Sequence, residues 1–89
     1  MGVFVAEREL PGVTMEQLAA AQRAAIDTSD RYTEEGRPVK YMRSVFMPEE
    51  SRCMCLFEAP DAETVRAVND EAQIPYTRIV PAMDLPPQG

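Results

Sequence analysis

The chain contains no histidine, only two cysteines, and nine basic residues against 15 acidic ones. Without imidazole there is no Ser/His/Asp or Cys/His constellation, so hydrolase readings have no residue support. No phosphate loop or dinucleotide fingerprint occurs either, which removes the kinase and dehydrogenase readings. The shortage of Lys and Arg, with a net charge of −6, leaves no basic field for a polyanion. Nucleic acid and anionic membrane are therefore not expected as partners. No apolar run approaches the ~20 residues of a membrane span. The opening MGVFVAEREL lacks the basic and apolar regions of a signal peptide, and a cytoplasmic protein is expected.

The two cysteines, Cys53 and Cys55, stand two apart in one extended segment. A disulfide between them would be strained, because neighbouring same-face Cα atoms lie near the outer limit of about 6.8 Å. As reduced thiols they read as small core residues. The functional alternative is a two-thiolate site for a soft metal, which lacks a second pair of Cys or His ligands.

What is present is a compact pattern of alternating segments. The 89 residues suffice for one domain, expected over residues 1–85 with 86–89 as a flexible tail. A chain of this size buries only roughly 60 to 65 % of its unfolded surface, so oligomerisation is an expected supplement. Tyr41 to Met47 and Arg52 to Ala59 are rich in β-branched, aromatic and sulfur-bearing residues. They flank Pro48-Glu49-Glu50-Ser51, whose proline cannot join a central ladder. A hairpin with that loop pairs Met47 with Arg52. Phe46/Cys53, Ser44/Cys55 and Met42/Phe57 then share one face, and Val45/Met54, Arg43/Leu56 and Tyr41/Glu58 the other. The first face suits a core under helices. The second is apolar at its middle and ionic at its margin.

Val3 to Glu9 alternates as a further strand and sets Glu7 on the second face, opposite in phase to Phe4, Ala6 and Arg8. Thr14, three residues before Gln17, opens a helix as a capping box. Its stripe of Leu18, Ala21, Ala25, Thr28 and Tyr32 runs to a stop at Gly36. Asp61 caps a second helix whose buried stripe is Val65, Val68 and Ala72. Tyr76 to Met83 makes a last strand, with Pro81 tolerable on an edge. The order β-α-β-β-α-β predicts an α+β fold of ferredoxin-like type. It is a four-stranded antiparallel sheet with two helices on one face, the first and third strands central. The other face would leave Val3, Val5, Val45, Met54 and Leu56 in water, a larger patch than a monomer usually exposes. A homodimer packing sheet against sheet, a dimeric α+β barrel, resolves this.

Four pieces carry a family resemblance: E-R-x-x-P-G at Glu7 to Gly12, Y-x-R-S at Tyr41 to Ser44, C-x-C-L-F-E-A-P at Cys53 to Pro60, and A-x-I-P at Ala72 to Pro75. The chain resembles a small bacterial family of unknown function, often labelled nickel-binding after a characterised member, from about Val3 to Met83. The resemblance implies a ferredoxin-like fold, a dimer, and a divalent metal such as nickel as cofactor. It assigns no metal ligand, since no family ligand position is matched here, and Ni²⁺ favours imidazole and thiolate donors.

The residues that could carry chemistry are Glu7, Tyr41, Arg43 and Glu58, all assigned to the inter-sheet face, with Tyr76 and Arg78 placed to reach it. Two carboxylates beside a guanidinium could hold a small polar ligand or a cation, or transfer protons if burial raised a carboxylate's pKa. The bland alternative is an ionic cluster that fixes dimer register. Two functions stay open. One is a small dimeric binding protein that holds a small ligand or a divalent metal ion at the barrel, through Glu7, Tyr41, Arg43 and Glu58. The other is a cofactor-free enzyme acting by proton transfer, cyclisation or oxygenation, with Glu58 or Glu7 as base and Arg43 as anion stabiliser.

Overall fold

The computed structural model describes residues 1–87, so the last two residues of the expected 86–89 tail lie outside the described residues. The elements are β1 (Gly2–Glu9), α1 (Met15–Glu34), β2 (Lys40–Met47), β3 (Arg52–Ala59), α2 (Ala62–Glu71) and β4 (Arg78–Ala82). The sheet order is β2-β3-β1-β4, with every neighbouring pair antiparallel. This is the ferredoxin-like arrangement that the alternation of elements predicts, with β1 and β3 central.

Local chemistry sets each boundary. Thr14 Oγ1 accepts from the Gln17 backbone N–H at 3.1 Å, and Gln17 Oε1 accepts from the Thr14 N–H at 2.9 Å. Two amide donors left over at the start of α1 are thereby satisfied. At its other end Gly36 takes φ +90°, and the Arg37 N–H reaches back to the Tyr32 carbonyl at 2.8 Å, a left-handed stop that glycine adopts without strain. Asp61 accepts from the Thr64 N–H at 2.8 Å and caps α2. The Thr64 hydroxyl, and after it that backbone contact, hold the Asp61 carboxyl below its usual range. Pro81 sits in β4 on the edge of the sheet, where a missing donor costs little.

The core lies between the sheet and the helices. Ala6, Cys53, Cys55, Phe57, Ala59 and Ile79 from the strands meet Ala25 and Tyr32 of α1 and Val65 and Val68 of α2. Tyr32 also ties the helices together, donating to the Ala67 carbonyl at 3.3 Å and to Glu71 Oε1 at 3.0 Å. The apolar stripe of α1 is buried at Ala25, Thr28 and Tyr32 but only half-buried at Leu18 and Ala21. The N-terminal half of the helix thus stands off the sheet.

The hairpin register follows the loop at Pro48 to Ser51. Met47 opposes Arg52, Phe46 Cys53, Val45 Met54, Ser44 Cys55 and Arg43 Leu56. Beyond Arg43 it departs from expectation. A bulge between Tyr41 and Arg43 pairs Tyr41 with Phe57 and Lys40 with Glu58, replacing the expected pairs Met42/Phe57 and Tyr41/Glu58. One extra residue on a strand reverses the face of everything before it. Tyr41 therefore lies on the helix side. Its ring meets Phe57 edge-on at 5.6 Å, and its hydroxyl accepts from Gln22 Nε2 of α1 at 2.9 Å.

Candidate functional site

The four residues assigned to one inter-sheet cluster do not come together. Tyr41 is on the opposite face, for the reason just given. Glu7 and Glu58 share a face but stand at opposite ends of the sheet. Glu7 lies against Met54 of β3 and Glu58 against Val3 of β1, an offset of four residues, or roughly 13 Å along a strand. Arg43 pairs with neither of them and meets Asp84, after β4. Glu7, buried at 9 % exposure, is held between two guanidinium groups: Arg52 Nη2 at 3.1 Å and Arg78 Nε at 2.8 Å. These arginines flank β1 on either side, so the triad ties β3, β1 and β4 in register. Around this frame the open face is apolar, with Val45 at 48 % exposure and Val3, Val5, Met54, Leu56 and Val80 half-buried.

The helix side carries the concentrated chemistry. Under the raised N-terminal half of α1 lies a cavity of about 470 Å³. Leu18 and Ala21 of α1, Phe46 of β2, and Ile74 beyond α2 give it apolar walls. Small alanines on the helix leave this gap where larger side chains would fill it. The floor is polar and comes from three adjacent strands. Arg8 donates from Nε to Cys55 Sγ at 3.3 Å and from Nη1 to the Pro75 carbonyl at 3.2 Å. The Ser44 hydroxyl donates to the same sulfur at 2.8 Å. Tyr41 Oη and Ser44 Oγ lie 2.5 Å apart, with Gln22 completing the chain. Cys53 Sγ is 3.9 Å from Cys55 Sγ.

Two electrostatic facts define the site. Arg8 is only 3 % exposed, yet among the described residues it forms no ion pair with a carboxylate, and no Asp or Glu lines the cavity. A buried cation without an answering anion is costly. Burial and then the neighbouring Cys55 push the Cys53 thiol up to about 11, against the opposing Arg8 charge. Cys53 is thus a neutral thiol at physiological pH. The arrangement offers a cation to an acidic group at Arg8, apolar walls under α1, and soft donor atoms at the sulfurs.

Arg8, Ser44 and Gln22 are absent from the residues singled out by the sequence. The signal that could have found them is the phase of β1, which sets an arginine on the same face as Phe4 and Ala6. An arginine in a core phase has to find an anion or a reason to do without one.

The model for the SCO4226-like family, described as nickel responsive protein SCO4226-like, matches residues 4–81 of this chain. Among solved structures, the crystal structure of SCO4226 from Streptomyces coelicolor A3(2) superposes with a TM-score of 0.72 at 24 % identity. That similarity covers 98 % of this chain and 99 % of the other, and it shows a common fold. No curated protein matches the chain.

Proposed function

The chain belongs to the SCO4226-like family of nickel-responsive proteins, and from that premise we propose that it is a small dimeric binding protein. Its ligand is a small molecule with an apolar body and one acidic group, seated in the cavity beneath α1. The observation that carries this reading is Arg8: a sealed guanidinium at the floor of an apolar cavity of about 470 Å³, with no carboxylate among the described residues to answer it. Sites for small molecules typically combine such apolar walls with a few convergent polar groups. Ser44, Tyr41 and Gln22 supply the remaining hydrogen-bonding edge.

Nickel does not fit the donors of a single chain. Ni²⁺ draws on imidazole, thiolate and other nitrogen ligands. The chain has no histidine, and the described residues contain no group of three or more Cys, Asp or Glu able to hold a metal. The binding reading therefore does not depend on nickel.

The dimer forms through the open sheet face. Its apolar middle is bordered by charges of both signs, Lys40, Arg43, Arg52 and Arg78 with Glu7 and Glu58. Such a surface is complementary to itself under two-fold rotation, as a symmetric dimer requires. Among the described residues no helix is long and apolar enough to cross a membrane. Two free thiols suit a reducing compartment, the cytoplasm.

Thermal unfolding in the presence of octanoate and of octanol tests the ligand reading. The acid should raise the unfolding temperature in proportion to occupancy and the alcohol should not, with the difference lost in Arg8→Gln. Equal responses to acid and alcohol would remove the case for Arg8 as the anchor. For the dimer, Val45→Glu should yield monomers by sedimentation velocity; wild-type protein that is monomeric at micromolar concentration contradicts it.

A further inference from the structure

We propose that Cys53 and Cys55 form a two-coordinate site for a soft monovalent cation, Cu(I) or Ag(I), with the Arg8 guanidinium as counter-ion to the resulting bis-thiolate complex. This goes beyond the small-ligand reading and is carried by the sulfur pair.

Three observations converge on it. The two sulfurs sit at successive same-face positions of β3, 3.9 Å apart, and both open on the cavity. A metal–thiolate bond of about 2.3 Å would bridge that gap at an S–metal–S angle of roughly 120°. Rotation of the two side chains about their Cα–Cβ bonds opens the sulfurs toward the linear arrangement that a two-coordinate monovalent ion takes. The donor set is soft and incomplete for a divalent ion. Thiolates select Cu(I), and no imidazole or carboxylate lines the cavity to finish a tetrahedral or octahedral set.

Charge decides the valence. Two thiolates around a monovalent ion make a complex of charge −1, which the single buried guanidinium of Arg8 neutralises. Around a divalent ion they make a neutral complex and leave Arg8 unanswered in a low-dielectric setting. Binding breaks two S–H bonds, forms two S–metal bonds and releases two protons, with no change in oxidation state. The charge of the floor passes from +1 to 0. Ser44 remains positioned to donate to Cys55 Sγ, an outer hydrogen bond of the kind that orients metal ligands. Met15, which lines the cavity and is 75 % exposed, sets a thioether at the mouth through which the ion would enter.

The test is an anaerobic titration of the reduced full-length protein with Cu(I) against bicinchoninate, repeated with Cd²⁺ and Ni²⁺ against a suitable chelator. One equivalent of Cu(I) per chain should be withheld, with divalent ions held at least about a hundredfold more weakly. Cys53→Ser and Cys55→Ser should each abolish the Cu(I) binding. Arg8→Gln should weaken Cu(I) roughly tenfold and leave Cd²⁺ unchanged. If that variant does not fold, the wild-type preference for Cu(I) over Cd²⁺ tests the same charge argument. Wild-type protein that yields its copper to the chelator, binding that survives both cysteine substitutions, or a preference for Cd²⁺ would each overturn the proposal. Copper loading should also suppress the octanoate response, since both use Arg8. If copper fails to bind while octanoate still does, the metal proposal falls and the small-ligand reading stands.

Discussion

Glu7 and Arg8 are neighbours in β1, both buried, and they face opposite sides of the same sheet. Glu7, on the open face, is answered twice, by Arg52 and Arg78. Arg8, on the covered face, is answered by no carboxylate among the described residues and rests against a thiol and a carbonyl oxygen. One face contains a closed ionic frame and the other an open electrostatic demand. A frame that satisfies itself is doing structural work. A buried charge that lacks a counter-charge inside a cavity is the feature on which the proposed ligand site rests.

The contrast is sharpened first by asking which face holds the molecule together. Phe57 is fully buried on the covered side, and truncation to Ala should cost about 3–4 kcal/mol by denaturant unfolding, as for other core aromatics. Val45→Ala on the open face should cost under about 1 kcal/mol at concentrations where the protein is monomeric. An equal loss at both sites would mean that stability is shared between the two faces.

The neighbouring charges themselves should respond unequally. Glu7→Gln leaves two guanidinium groups facing a neutral amide, and a destabilisation of about 1–2 kcal/mol is expected. The figure is held down because Arg52 and Arg78 are themselves half-exposed or more and can turn to water. Arg8→Met removes a buried cation that nothing neutralises and should leave stability within about 1 kcal/mol of wild type, or raise it, while ligand binding is lost. The cost of leaving the Pro75 carbonyl unpaired limits the gain. Urea unfolding of the two variants side by side is the measurement. A loss in Arg8→Met as large as that in Glu7→Gln would show that Arg8 is a structural residue.

Next in size is Tyr41→Phe, which deletes a hydroxyl shared between Gln22 and Ser44 while keeping the edge-on contact with Phe57. It should cost roughly 0.5–1 kcal/mol and weaken acid binding several-fold. Had Tyr41 lain on the open face, as the uninterrupted alternation implies, the substitution would alter dimer assembly and leave the cavity unaffected. Sedimentation and octanoate binding together discriminate the two positions.

The sequence made most of the architecture legible. Period-two runs, the Pro48 to Ser51 loop and the Thr14 and Asp61 caps identify the elements, and the loop sets five hairpin pairs correctly. The bulge beside Met42 escaped because no residue there demands it. Its cause is tertiary: the Tyr41 ring gains Phe57 and Gln22 by turning inward. The grouping of Glu7, Arg43 and Glu58 went astray for a related reason. Shared phase puts side chains on one face without saying where along the strand they stand, and four residues of offset separate two carboxylates completely. The cavity was hidden too. Helical periodicity shows which side of α1 faces the sheet, but whether its alanines touch the strands or stand off from them depends on how Tyr32 anchors the helix at its other end.

The effect that vanishes at neutral pH concerns Cys53 and appears only in alkali. Its folded-state pKa of about 11 lies above the ordinary value of 9.0, because burial and the neighbouring sulfur disfavour the thiolate. The unfolded chain therefore loses this proton first. The stabilisation from keeping the thiol neutral is fully present below pH 9 and is lost as pH rises through 11. The Tyr76 phenol is also held above its ordinary value, by desolvation and by its bond to Asp70, and contributes a loss of the same sign. Comparing wild type with Cys53→Ser cancels the tyrosine share. The stability difference between the two proteins should be constant up to about pH 9 and then shift against the wild type toward pH 11, as read by urea unfolding at each pH. A difference that stays flat across that range would mean that Cys53 ionises as freely in the folded protein as in water. The covered face would then lack the low-dielectric floor on which its contrast with the open face depends.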